Sequence, residues 1–155
     1  MSGWDQWAVQ LTANGANLCG AIIAKDGKSV WGKAGNFSLS AYQTKIPDGQ
    51  GGQKSVNVDE GARIVQALAA KGMPSKEMTN NGGLFINKTK YRVVRYIDDL
   101  DALYLKGPGT TGACLQSSTQ AIVFCAYDKS QGKQNAGDCN MAVEKLVAAL
   151  KGSGY

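Results

Sequence analysis

The 155 residues include no histidine. That absence removes Ser-His-Asp and Cys-His catalysis and the commonest zinc ligand. No CxxC spacing links the four cysteines, Cys19, Cys114, Cys125 and Cys139. Three of them lie in apolar or helical runs, where a free thiol packs as a small hydrophobe, so we expect reduced cytosolic thiols and no disulfide framework. No apolar run approaches a membrane span. No Lys/Arg run of the nucleic-acid-binding type appears. No charged segment followed by an apolar one opens the chain, so no signal peptide is expected.

What is present fits one ordinary globular domain. Hydrophobic residues make up 43% and charged residues 19% of the chain, outside the range of disordered chains and enough for a real core. The net charge of +5, from 17 basic and 12 acidic residues, is moderate. It suits contact with acidic proteins or anionic lipid heads.

Two of the three tryptophans stand in the opening SGWDQW. Ser2 with Asp5 reads as a capping pair for a helix that runs to about Ala13, with Trp4, Trp7, Ala8 and Leu11 on one side. Asn14-Gly15 ends it. LCGAIIA and SVWGK flank Asp26-Gly27, the signature of a hairpin with a type I′ turn. The polar, Gly-rich stretch 46–54 reads as a loop. Asn57 with Glu60 caps a second helix whose stripe is Val58, Ala62, Val65 and Ala69, widened by Ile64 and Leu68 and stopped by Gly72 and Pro74. Strands are expected at 83–86, 91–97, 102–106, 113–117 and 120–127, joined by short links that favour an antiparallel meander. A last helix begins near Asp138, carries Val143, Leu146, Val147 and Leu150 on one face, and closes at Gly152. The class is α+β: a central antiparallel sheet of about six to seven strands, flanked by helices.

Trp4 and Trp7 have two readings. One is packing of the terminal helix against the body. The other needs the first and last helices side by side on one sheet face, so that Trp4, Trp7, Trp31 and Tyr155 line a shallow groove. A polyproline II ligand suits such a groove, because it is stiff and loses little entropy on docking. Indole N–H and phenol O–H groups at the rim would donate to its carbonyls.

SGWDQW, the DGKSVW hairpin, YRVVR on a middle strand and the closing AGDCNMAVEKLVAALKGSGY together resemble the profilin family, in order and over nearly the whole chain. Residues 43–60 and 71–82 depart most from that pattern. The resemblance implies a single domain over 1–155, with terminal helices on one sheet face and a further helix on the other. It implies a cytoplasmic, cytoskeletal protein that binds monomeric actin, proline-rich proteins such as formin-type elongation factors, and phosphoinositide heads, with no cofactor, metal or nucleic acid. Its proline site maps to Trp4, Trp7, Trp31, Leu150 and Tyr155, with Ala149 where some relatives carry histidine. Its actin face maps to Lys90, Val93, Arg95, Lys106, Gly137, Asn140 and Lys145. Phosphoinositide binding would add Lys88, Lys129 and Lys133.

Two rivals bear weighing. Asp98, Asp99 and Asp101 could serve acid–base or metal chemistry, and GPGTTG is Gly-rich. Both read better as polar turns, since GPGTTG lacks a following Lys-Ser/Thr and opens no helix. A non-actin interaction scaffold of similar build is the other alternative.

Overall fold

The computed structural model describes residues 3–155. Ser2 and its expected capping role lie outside the described residues. Seven strands form one sheet in the order β2-β1-β9-β8-β7-β6-β5, antiparallel throughout: β1 (Cys19–Ala24), β2 (Val30–Gly35), β5 (Leu84–Ile86), β6 (Thr89–Ile97), β7 (Ala102–Lys106), β8 (Thr111–Ser117) and β9 (Ala121–Asp128). The expected meander is present from β5 to β9.

Both sheet faces are covered, so the central strands are buried on both sides and read as continuous apolar runs. On one face Ile23, Leu103, Leu115, Ile122 and Phe124 pack under α2 (Glu60–Ala69). On the other, Ile22, Val123 and Cys125 pack under α1 (Gly3–Ala8), the 3-10 turns that follow it, and α4 (Ala136–Gly152). The terminal helices therefore share one face and α2 takes the other.

Several local expectations are corrected. The first helix is α-helical to Ala8 and then tightens into a 3-10 segment, Val9–Gly15, which breaks at Ala13 and at Asn14, φ 59°. Asp26-Gly27 does not form a type I′ turn. Gly27 has φ 75°, whereas Asp26 is not left-handed, and its carboxylate accepts from Lys28 N in a longer connection. The two-residue turn with positive φ at both positions is Asn87-Lys88, at 54° and 59°, between β5 and β6.

Stretch 46–54 is a loop only at its tip. Its flanks belong to a separate two-stranded hairpin, β3 (Ala41–Pro47) with β4 (Gln53–Asp59). Asp59, not Asn57, caps α2, its carboxylate accepting from Ala62 N. Val58 is therefore a strand residue, and α2 buries Ile64, Ala67 and Leu68 together with two charged side chains, Glu60 and Arg63. A short helix not foreseen, α3 (Lys76–Asn80), follows, capped by Ser75. Asn135 caps α4, which starts two residues earlier than expected and buries Val143, Leu146, Val147 and Leu150 as expected.

The two buried charges hold the hairpin in place. Glu60 accepts from Ser40 N, Tyr42 hydroxyl, Asn87 N and Lys88 N at 2.7–3.1 Å. It thereby fixes the left-handed turn, which costs non-glycine residues about 1–2 kcal/mol each. Arg63 donates to the carbonyls of Asn57, Asn81 and Gly83 and lies 5.6 Å from the Phe85 ring centroid.

Candidate functional site

The aromatic surface is assembled from both chain ends and the edge strand. Trp4 is its centre, with ring centroids 4.9 Å from Trp31, 4.9 Å from Tyr155 and 6.0 Å from Trp7. Tyr155 stands edge-on to both Trp4 and Trp31. The three indoles are half-buried and Tyr155 is 37% exposed. The rings seal a core and still present a face.

Three features create this surface. First, Trp31 is the extra residue of a β-bulge, since Ile22 pairs with Gly32 and Ile23 with Val30. Strict alternation would send it away from α1, and the bulge turns it onto the α1 face. Second, α1 lies directly on β2 because residue 32 is glycine. A Cβ there would stand 2.4 Å from the Trp4 carbonyl. Asp5 fastens the contact by accepting from Lys33 N at 2.9 Å. Third, Tyr155 is tied to the β8–β9 turn. Its backbone carbonyl accepts from Gln120 N and the Ser118 hydroxyl, and its N–H donates to Leu150 O.

Leu150 is the exception among the expected groove residues. It is fully buried, packed within the core on which the three indoles rest. It supports the groove from beneath and offers no surface to a ligand. Ala149 is exposed.

The expected actin residues fall into separate groups. Arg92 pairs with Lys106 across β6–β7, and Arg95 with Tyr104. Val94 is the extra residue of a second bulge and is 59% exposed. The shift places Arg95 on the α4 side with Arg92 and Lys106. Without it Arg95 would oppose Leu103 in the core. Arg92, not among the expected residues, shares this side only because of the bulge, which strand alternation in the sequence does not reveal. Val93 is not brought together with them: it is half-buried on the α2 side, facing away from Arg95 and Lys106. Lys90 is exposed near it, at the β5–β6 hairpin.

On α4, Gly137 and Lys145 are exposed and Asn140 is half-exposed, sharing the outer face with Met141 and Glu144. A Cβ at Gly137 would meet nothing of this chain closer than Asn135 Oδ1 at 3.4 Å. No contact within the chain requires glycine there, so any close approach must come from a partner. Tyr104 joins the two groups. Burial chiefly, with the Cys114 and Glu144 charges, raises its phenol above the ordinary range, against the pull of Arg95.

Lys106 is partly engaged, donating to the carbonyls of Gly107, Gly109 and Thr111. The GPGTTG turn thus turns carbonyls toward a cation, the reverse of a phosphate cradle. Asp98 pairs with Lys71 at 3.9 Å and Asp101 accepts from the Tyr96 hydroxyl at 2.8 Å. Lys88, Lys129 and Lys133 are exposed in turns at the same end of the sheet as the 107–110 turn. Lys88 is separated from the other two by three to four strand spacings, roughly 15–19 Å.

The seven-stranded antiparallel sheet with both terminal helices on one face and α2 on the other defines a class of small sheet-and-helix domains. The profilin family model matches residues 2–155. A profilin of Tetrahymena pyriformis is 35% identical over 160 aligned residues, covering 100% of each chain. Among solved structures, Acanthamoeba castellanii profilin II superposes with a TM-score of 0.70 at 24% identity, over 99% of this chain and 100% of that one. Mouse profilin IIa, solved in complex with a double repeat from the FH1 domain of mDia1, has a TM-score of 0.63 at 18% identity, over 99% and 100%. The chain belongs to the profilin family.

Proposed function

We propose that this protein binds monomeric actin through the Arg92–Arg95–Lys106 strip and the exposed face of α4, and proline-rich segments through the Trp4–Trp31–Tyr155 trough, so regulating actin polymerisation. The observation that carries the reading is the meeting of Trp4 and Tyr155, residues at opposite ends of the sequence, at 4.9 Å on a half-exposed surface. Buried packing alone gives no reason to leave such rings partly in water.

A polyproline II ligand offers flat rings and unpaired carbonyls. Among the described residues, no indole N–H of the trough and no Tyr155 hydroxyl donates to protein, so these donors are available to those carbonyls. The basic strip supports an acidic partner surface. Arg92 and Lys106 stand directly opposite each other, a like-charge pairing that destabilises a sheet and is relieved when an anionic partner covers it. The two surfaces lie at different places on the sheet, so one protein can hold actin while docked on a proline-rich elongation factor, raising the local actin concentration. The bound FH1 repeat of the mouse relative supports this choice of ligand. Its place of action is the cytoplasmic actin cytoskeleton. Phosphoinositide heads fit the turn end that carries Lys88, Lys129 and Lys133, each contributing on the order of 1 kcal/mol at an anionic surface.

Retention on immobilised polyproline, followed by a monomeric-actin sequestration assay, tests both halves. Arg92→Glu with Arg95→Glu is expected to slow actin association at low salt and leave polyproline retention intact. Retention of full actin affinity by that double variant would remove the strip from the proposal.

A further inference from the structure

Tyr155 follows Gly152-Ser153-Gly154, a stretch whose composition favours backbone freedom over order. α4 ends at Gly152, and Gly154 is left-handed at φ 89°. The Tyr155 ring nevertheless stands 4.9 Å from Trp4 and 6.1 Å from Trp31, centroid to centroid. α4 supplies one tie to this residue, Tyr155 N donating to Leu150 O at 2.8 Å. The other ties come from the β8–β9 turn. The Ser118 hydroxyl donates to Tyr155 O and the Gln120 side-chain amide to Gly154 O, both at 2.8 Å. Gln120 N also donates to Tyr155 O. Ser118 is 3% exposed, so its hydroxyl acts out of water. The turn is itself held, because Lys25 Nζ donates to Ser118 O at 2.6 Å and Lys25 N to Gln120 O at 3.2 Å.

We propose that Ser118 and Gln120 are positioning residues for proline-rich ligands and act through Tyr155, an inference that rests on the trough function proposed above. Ring contacts alone leave Tyr155 37% exposed and held edge-on to its two neighbours. The ties from the turn fix the backbone that carries the ring. A ring ordered before the ligand arrives has no freedom left to lose on docking. Ordering one such side chain at the moment of binding weakens affinity by roughly two- to tenfold. The β8–β9 turn therefore sets the affinity of a surface whose rings all lie on other elements.

The test is calorimetric titration of the full chain with decaproline, comparing wild type with the Ser118→Ala, Gln120→Ala pair, each with and without Tyr155→Ala. The pair should weaken binding roughly fivefold while Tyr155 is present. It should change nothing once Tyr155 is gone, because the ties then have no ring to place. NMR of the pair variant supplies a readout without ligand. The ring-current shifts that Trp4 and Trp31 impose on the Tyr155 ring protons should shrink, while the Val143 and Leu146 methyl shifts of the core beneath stay in place. Unchanged affinity in the pair variant overturns the proposal. An equal loss in the Tyr155→Ala background overturns it too, since that marks a general loosening of the turn. Wild-type protein that fails to bind decaproline overturns the trough function itself, a result distinct from wild-type binding that the pair variant matches.

Discussion

Trp4→Ala separates the trough from the rest of the molecule. Trp4 is the one ring that contacts each of Trp7, Trp31 and Tyr155, with two centroid distances of 4.9 Å. Truncating a fully buried Trp costs about 3–5 kcal/mol, and half-buried Trp4 forfeits roughly half of that, about 2 kcal/mol. Against a domain stability of about 5–15 kcal/mol the variant remains folded. Removing a central aromatic anchor from a binding surface costs about 2 kcal/mol or more, which is about a thirtyfold loss of affinity. Calorimetric titration with decaproline should show that loss, urea unfolding a stability change of about 2 kcal/mol, and actin sequestration no change. Leu150→Ala is the control that tells a ring contact from a support. It lies beneath the rings at zero exposure, so it should lose about 2–5 kcal/mol of stability and keep most of its proline affinity per folded molecule. Wild-type proline affinity in a folded Trp4→Ala would refute the reasoning, as would a larger affinity loss in Leu150→Ala.

Gly32→Ala should push α1 off β2, because its Cβ would meet the Trp4 carbonyl at 2.4 Å; overpacking costs about 1–3 kcal/mol, and decaproline affinity should fall although no ring has been altered. Glu60→Gln replaces an acceptor of four hydrogen bonds with an amide that turns an NH2 toward two of the donors; urea unfolding should register a loss of about 2 kcal/mol or more, with faster amide exchange at Asn87 and Lys88. The hydrogen bond to Asp101, with smaller help from burial, pushes the Tyr96 phenol up to about 12. Its folded pKa lies above the ordinary tyrosine value of about 10, so the stability it lends is complete below pH ~10 and is lost as pH rises through ~12. Denaturant midpoints across that window should fall less steeply in Tyr96→Phe than in the wild type, and equal slopes would discard the linkage.

The parts of the fold legible in the sequence are those whose pattern is set by burial alone. β7 and β9 are apolar runs because both faces of the sheet are covered. The stripe of α4 repeats at helical spacing because one side is core. The β3–β4 hairpin escaped notice because its core contribution is small, Ile46, Val56 and Val58 with Tyr42 and Phe85. Its intervening residues face water and read as polar loop. The α2 stripe was misplaced for a related reason. Glu60 and Arg63 occupy inward positions that a hydrophobic pattern scores as solvent, and their burial is offset by seven hydrogen bonds to groups distant in sequence. Nothing local announces those partners. The same carboxylate let Asn87-Lys88, a pair with no glycine, take the left-handed turn expected of Asp26-Gly27.

Both candidate surfaces depend on an extra residue in a strand. Alternation along β2 puts Trp31 on the same side as Lys33, away from Trp4, and alternation along β6 puts Arg95 on the same side as Val93, against the core. One inserted residue reverses each assignment: Trp31 itself in the first case, Val94 in the second. A bulge costs ladder hydrogen bonds and is retained where a side chain must be re-aimed. Here the two bulges lie in β2 and β6, and each delivers its residue to the face that carries the terminal helices. Strand periodicity therefore argued against Trp31 joining the trough and in favour of Val93 as a neighbour of Arg95. The motif resemblance, which carries position and not side, named both Trp31 and Val93; the structure puts Trp31 beside Trp4 and Val93 against the α2-side core. Restoring strict alternation by deleting Val94 should turn Arg95 toward Leu103. The resulting buried, unpaired guanidinium would make the domain far less stable, whereas Val94→Ala, which keeps the bulge, should change stability little.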